Sequence, residues 1–175
     1  MDSDSMGEML DELRRALAGI DDRQADAFAD ALAAAGDVFV TGQGRSGLMG
    51  AAFATRLTHL GKRAHVVGEP TTPATASGAV LVACSGSGQT RSTFIHVERA
   101  REAGARVWAI TQDPSSPLSR AADHVIAIPA APSIQPGRSA FEQALLLFLD
   151  SIVLRLMTKL GETPDSMLAR HSNLE

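Results

Sequence analysis

Two short segments rich in glycine and hydroxyl side chains each follow a run of small and β-branched apolar residues. The first is Gly42-Gln43-Gly44-Arg45-Ser46-Gly47 and the second is Ser85-Gly86-Ser87-Gly88-Gln89-Thr90. A glycine-rich turn between a strand and a helix lets backbone N–H groups approach an anion, and hydroxyl groups add further hydrogen bonds. The second segment supplies three such hydroxyls, and the first supplies Arg45 and Ser46, which suit a compact charged ligand. Together the segments predict a phosphate site.

The first segment also fits a different class of site. Its three glycines satisfy the pattern G-x-G-x-x-G, and Glu69 falls near the end of the next strand, where a dinucleotide-binding fold places the acid that binds ribose. A dinucleotide would leave the hydroxyls of the second segment without a role. A third interpretation of both segments is a flexible loop that needs only small residues. No serine of either segment lies in the pattern G-x-S-x-G, so serine hydrolysis is not indicated.

Alternating strands and helices must position these turns. Short β-branched runs predict five strands, at residues 37–41, 64–67, 79–85, 106–111 and 124–128. Helical periodicity or helix-start signals predict helices before, between and after them. Strands that are apolar on both faces and alternate with helices indicate a parallel sheet covered on both sides. Ligands bind at the carboxyl ends of the strands in such a sheet, and both segments lie there.

Residue types at the predicted helix ends indicate where individual helices begin and end. Asp21 is a candidate N-cap for a helix at residues 22–35, and Gly36 suits the left-handed position after it. Ser116 and Pro117 predict the start of a short helix, and a proline-rich loop follows at residues 129–137. The helix predicted after that loop, at residues 139–160, is apolar nearly all round. Such a helix is buried in the core or against another subunit, which favours an oligomer.

The composition excludes several classes of function. The chain has 175 residues, 45% of them hydrophobic and 21% charged, with a formal net charge of -4. This charge, the 4% of aromatic residues and the lack of tyrosine argue against nucleic-acid binding. The one cysteine, Cys84, is expected to be a buried core residue, and no Cys/His cluster has zinc spacing. A polar, acidic start and the absence of a long apolar run predict a cytoplasmic protein without a membrane segment.

Five segments carry a resemblance to a known family. They are GQGRSGLMGAAFATRLTHLG (42–61), VGEPTTPA (67–74), SGSGQT (85–90), FEQALLLFLD (141–150) and RHSNLE (170–175). In this order they resemble the 6-phospho-3-hexuloisomerase family of sugar isomerase (SIS) domains, over nearly the whole chain. The resemblance implies one SIS domain at residues 1–175, with N-terminal helices (1–35), an α/β core (36–138) and C-terminal helices and tail (139–175). Its fold would be a flavodoxin-like three-layer sandwich with a five-stranded parallel sheet.

The resemblance also implies an activity. The family interconverts 3-hexulose 6-phosphate and fructose 6-phosphate in the ribulose monophosphate pathway, which fixes or releases formaldehyde. Its members form homotetramers that are dimers of dimers, place active sites at subunit boundaries, and need no metal or other cofactor. The implied phosphate ligands are Ser46, Ser85, Ser87 and Thr90, with Gly44 in the binding turn and Arg45 near the sugar.

The resemblance further implies that Glu142 is the general base. This assignment fits the chemistry, since moving a carbonyl from C3 to C2 needs a group that takes a proton from one carbon and returns one to its neighbour. A donor must then stabilise the enediolate oxygen. His171 is the first candidate helper and His59 the second. His59 comes twelve residues after Gly47, about 18 Å along a helix, and could act only in a neighbouring subunit's site. Ser139 and Glu142 also fit a capping box, in which Glu142 would only cap its helix.

The chain departs from the family pattern at several positions. Gln89 stands where most members have glutamate, and an amide cannot exchange a proton as a carboxylate does. Arg138, in Pro136-Gly137-Arg138-Ser139, adds a charge beside the expected site. Two alternatives therefore stay open. One is an isomerase for another phosphosugar such as arabinose 5-phosphate, and the other is a non-catalytic SIS module that binds a phosphosugar and regulates a partner.

Overall fold

The computed structural model describes residues 4–129 and 133–174. The strands in these residues are β1 (Asp37–Gly42), β2 (Arg63–Val66), β3 (Val80–Cys84), β4 (Arg106–Thr111) and β5 (His124–Ala127). The helices are α1 (Ser5–Ala18), α2 (Asp22–Ala34), α3 (Gly44–His59), α4 (Arg91–Glu102), α5 (Pro117–Ala121), α6 (Ser139–Leu160) and α7 (Pro164–Leu168). Residues 130–132 of the proline-rich loop and the last residue of the RHSNLE segment, Glu175, lie outside the described residues.

The strands form one parallel sheet in the order β2-β1-β3-β4-β5. This is the strand order of flavodoxin-like folds. The first helical connection, α3, leads outward from β1 to β2, whereas α4 leads from β3 to β4 in the opposite direction. The predicted fold class, a five-stranded parallel sheet with helices on both faces, is confirmed.

Alternation along each strand sends neighbouring side chains into two separate hydrophobic cores. In β1, Val38 and Val40 lie in the larger core with residues of α2, α3 and α6, whereas Phe39 lies in the smaller core with residues of α4. At the centre of the larger core the rings of Phe28 and Trp108 lie 5.0 Å apart. Both faces of the sheet are therefore dry, which explains why its strands read as continuous apolar runs.

Local signals placed most helix ends correctly. The Asp21 carboxylate accepts a hydrogen bond from the N–H of Arg23 at 2.8 Å, and the hydroxyl of Ser116 accepts one from the N–H of Ser119. The prediction for Gly36 was wrong: α2 ends at Ala34, Ala35 is extended, and Gly36 does not have a positive φ. The chain continues directly towards β1 instead, and the Gly36 N–H donates to the carbonyl of Gly78 on the neighbouring loop.

Helix α6 has the predicted bounds and one largely buried face. Its buried side chains include those of Phe141, Leu145 and Ile152, but Leu147 and Leu154 on the outer side are 46% and 66% exposed. These two exposed leucines are available to another protein surface. In the described part of the chain, no helix combines the length and hydropathy needed to span a bilayer.

Cys84 ends β3 and has no exposed surface, as the sequence predicted. Burial raises the pKa of its thiol to about 12, because the core solvates a thiolate poorly. Since the thiolate is the reactive form, we expect an aromatic disulfide reagent to label the native protein at least about 100-fold more slowly than the urea-unfolded protein. Equal labelling rates, measured by absorbance at mildly alkaline pH, would contradict a closed core at this end of β3.

Candidate functional site

The two glycine-rich turns begin at the ends of adjacent strands. Gly42 of β1 and Cys84 of β3 are paired in the parallel register; the first turn starts at Gly42 itself, and the second starts immediately after Cys84. The connections then leave in opposite directions, so a crevice forms between them where the strand order reverses. The turns therefore meet at one edge of the sheet, as the phosphate-site prediction required.

Close backbone packing explains two of the glycines of the first turn, Gly42 and Gly47. A Cβ atom on Gly47 would lie 2.7 Å from the carbonyl oxygen of Gly42, and one on Gly42 would lie 3.0 Å from the carbonyl oxygen of Cys84. Only glycine at these positions lets the N-terminus of α3 approach the end of β1 so closely. Ser46 is buried in this turn, whereas Gly44 and Arg45 are exposed. Packing accounts for Gly42 and Gly47, and Gly44 has a φ of +55°, so the glycine pattern does not require a dinucleotide.

The second turn is held by its own hydroxyl groups. The Oγ atom of Ser85 lies 3.0 Å from the Oγ1 atom of Thr90 and accepts a hydrogen bond from the N–H of Gly88 at 3.2 Å. The hydroxyl of Ser87 accepts one from the N–H of Gln89 at 3.2 Å. Ser85 is buried, Ser87 and Thr90 are half-buried, and Gln89 is exposed. The three hydroxyls and the turn's N–H groups therefore form a compact cluster of hydrogen-bonding groups.

The start of α6 lies directly over the second turn. A Cβ atom on Gly86 would be 2.9 Å from the ring of Phe141 and 3.1 Å from the Cδ atom of Arg138. The Arg138 guanidinium donates to the Oε1 atom of Gln112, 3.1 Å away, at the carboxyl end of β4. Gln112 was not among the predicted site residues, although it directly follows a predicted strand, where ligand-binding residues commonly lie.

Glu142 and Arg45 connect the first turn to α6. The Nε–H of Arg45 donates to the Oε2 atom of Glu142, and the Glu142 side chain is 13% exposed against 58% for that of Arg45. The capping-box alternative is not what the structure shows, because the N-cap of α6 is Arg138 and the Ser139 hydroxyl donates to the carbonyl of Pro136. A mostly shielded carboxylate next to a guanidinium and a phosphate-type turn can exchange a proton with a bound sugar.

His59 and His171 come together, but at the other end of α3. Their rings lie 4.9 Å apart. His59 is buried and is the last residue of α3, about 22 Å along the helix from Gly44 at its start. The two rings line a groove of about 420 Å³ that also contains Asp150 and the exposed Leu154. Within one chain, therefore, the structure does not bring either histidine to the turns.

The acid of the dinucleotide interpretation, Glu69, lies in a tight turn after β2. Its N–H donates to the carbonyl of Val66 at 3.2 Å, and the residue is exposed. Because β2 and β3 flank β1 on opposite sides, Glu69 belongs to the side of β1 away from the hydroxyls of the second turn. Across residues 4–129 and 133–174, no group of three or more His, Cys, Asp or Glu side chains is placed to hold a metal ion.

Comparison with known proteins identifies the family to which the chain belongs. The family model for the SIS domain matches residues 31–158, and the chain belongs to the SIS domain family. A 3-hexulose-6-phosphate isomerase of Bacillus subtilis (strain 168) is 40% identical over 179 residues, which cover 97% of both chains. A second protein of that name, from Mycobacterium gastri, is 36% identical over 99% of this chain and 91% of its own.

Solved structures agree with the fold. A Methanococcus jannaschii hypothetical protein, whose crystal structure "infers a molecular function of 3-hexulose-6-phosphate isomerase", has a TM-score of 0.87 and 29% identity over 97% of this chain and 98% of its own. The Vibrio vulnificus NanR protein complexed with ManNAc-6P has a TM-score of 0.82 at 23% identity, which shows the shared fold alone. Family membership and the packing of the glycines together favour the phosphosugar interpretation of the turns over the dinucleotide one.

Proposed function

We propose that the protein is an isomerase that interconverts 3-hexulose 6-phosphate and fructose 6-phosphate. The observation that carries this proposal is the Arg45–Glu142 pair beside two hydroxyl-rich turns at one edge of the sheet. The near-full-length relatives named for the same reaction support the choice of substrate.

The phosphate of the substrate is assigned to the two turns. The hydroxyls of Ser46, Ser85, Ser87 and Thr90 and the N–H groups around Gly44 and Gly88 offer hydrogen-bond donors to its oxygens. The start of α4 adds the positive end of a helix dipole, which favours an anion. No side chain of the second turn carries a negative charge, since Gln89 replaces a glutamate, so the turn does not repel a phosphate.

Glu142 is assigned the proton transfers. In the forward direction its carboxylate takes the proton from C2 of the 3-hexulose, and the electron pair of the broken C–H bond forms the C2–C3 double bond of an enediolate. Glu142 then returns its proton to C3, and the proton of the C2 hydroxyl moves to the C3 oxygen, which leaves the carbonyl at C2 and completes the fructose 6-phosphate. Arg45 is assigned the enediolate oxygen, because its guanidinium has five N–H donors and the bond to Glu142 uses only the one at Nε.

The histidines are assigned to a neighbouring subunit's site. His171 and His59 share one groove, far along α3 from the turns of their own chain, with Leu154 and Leu168 exposed at its edge. A homotetramer built as a dimer of dimers would cover these leucines and carry the histidines to another chain's sugar. We further assign this enzyme to the cytoplasm and to the ribulose monophosphate pathway, which the resemblance to 6-phospho-3-hexuloisomerases supports.

A direct assay tests the activity. Purified protein receives 3-hexulose 6-phosphate generated enzymatically, and fructose 6-phosphate is followed by a coupled reaction without added metal. We expect turnover far above an enzyme-free blank, and much slower conversion of arabinose 5-phosphate. Blank-level rates with both sugars, together with ligand-induced thermal stabilisation, would instead support the non-catalytic binding module that Gln89 raises as the second candidate.

A further inference from the structure

A carboxylate on the first helix clamps the segment that leads into the site. Glu12, on α1, is 4% exposed. Its carboxylate accepts three hydrogen bonds from far along the chain: from the Ser133 hydroxyl at 2.8 Å, the Ile134 N–H at 2.7 Å and the Gln135 side-chain amide at 3.0 Å. These bonds, that from Gln135 most strongly, lower the pKa of Glu12, so the group is ionised at neutral pH.

The clamped residues belong to the β5–α6 segment (residues 133–138), which ends at the site. Its last residue, Arg138, packs its Cδ atom against Gly86 of the second turn and donates to Gln112 after β4. Helix α1 lies outside the residues 31–158 that match the SIS family model, and it packs on α6. An element outside the matched residues thus holds the segment that leads to Arg138, the residue whose charge departs from the family pattern.

The site's other charged residues do not depend on this clamp. Glu142 is on α6, whose first turn is held by Phe141, a fully enclosed ring in the core, and by the bond to Arg45. Loosening the β5–α6 segment would therefore displace Arg138 more than Glu142. We propose that Glu12 is a positioning residue that fixes the β5–α6 segment so that Arg138 contributes its charge to binding the phosphosugar. This inference rests on the proposed function.

The test is the isosteric change Glu12→Gln, which removes the charge and leaves an amide that can accept at only one oxygen. We expect KM for 3-hexulose 6-phosphate to rise about fivefold while kcat stays within about twofold, the pattern of lost uniform binding. The Kd of fructose 6-phosphate, measured by calorimetry, is expected to rise by a similar factor. Glu8→Gln, an exposed carboxylate on the same helix, is the matched control and is expected to leave both constants unchanged.

A double-mutant cycle separates positioning from general destabilisation. Arg138→Ala alone is expected to raise KM, and adding Glu12→Gln to it is expected to change KM no further. Gln135→Ala removes one of the three hydrogen-bond donors to Glu12 and is expected to raise KM by less than Glu12→Gln does. This variant replaces Glu12→Gln in the test if Glu12→Gln does not fold. The inference is overturned if Glu12→Gln has the kcat and KM of the wild type. It is also overturned if Glu12→Gln raises KM as much in the Arg138→Ala background as it does in the wild type. Absence of wild-type turnover would instead overturn the proposed function.

Discussion

Replacing Glu142 with glutamine is expected to lower kcat by about 10² to 10⁴-fold, the usual contribution of a general acid–base group. The amide has nearly the same shape and can still accept the hydrogen bond from Arg45, but it cannot take a proton from a sugar carbon. The phosphate turns are untouched, so the Kd for fructose 6-phosphate is expected to stay within about threefold. Steady-state kinetics and calorimetry on the same preparation measure the two effects.

Two comparisons separate catalysis from a structural ion pair. If Glu142 served only to hold Arg45, Arg45→Met would cost at least as much turnover as Glu142→Gln, whose amide can still accept the bond from Arg45. We expect a smaller loss from Arg45→Met, since that change leaves the base in place and removes one donor to the enediolate. Glu98→Gln, an exposed carboxylate on α4, controls for the loss of one charge and is expected to change neither constant. A Glu142→Gln enzyme that keeps more than a tenth of the wild-type kcat contradicts the assignment.

The fold was predictable because its signals are local. Runs such as the one in β3 and the bounds of α6 follow from residues within a few positions of each other, and the sheet follows from their alternation. The wrong prediction for Gly36 shows the limit of local signals. A glycine after a helix favours a left-handed turn, yet the connection to β1 stays extended, and the partner that satisfies its N–H is Gly78, from a distant loop.

Only part of the candidate site could likewise be predicted from the sequence. The two turns could be recognised from composition, since glycines and hydroxyls cluster at predicted strand ends. The partner of the Glu142 carboxylate could not be predicted, because a capping box and Arg45, 97 residues away, compete for it. Only the three-dimensional structure shows that α6 starts from Arg138 and that the carboxylate pairs with Arg45. The clamp by Glu12 spans 121 to 123 residues and leaves no periodic trace in the sequence.

The second turn is also the place where a single methyl group should do most damage to the fold. Gly88 has a φ of +61°, and a Cβ atom there would lie 2.1 Å from the Oγ atom and 2.3 Å from the Cβ atom of Ser116. Ser116 is buried and caps α5, so it has little room to move. We expect Gly88→Ala to lower the free energy of unfolding by about 3 to 4 kcal/mol, the sum of left-handed strain and overpacking.

A matched glycine separates these two costs. Gly161, after α6, has a φ of +68° and no atom within 4 Å of an added Cβ, so Gly161→Ala carries the strain alone and is expected to cost about 1 kcal/mol in urea unfolding. Ser116→Gly removes both clashing atoms and keeps a tolerable N-cap, so it is expected to restore about half of the loss in the Gly88→Ala background. Equal costs at Gly88 and Gly161 would mean that α5 does not brace the second turn. Because the N–H of Leu118 on α5 also donates to the carbonyl of Gly88, a displaced turn should raise the Kd for fructose 6-phosphate together with the loss of stability.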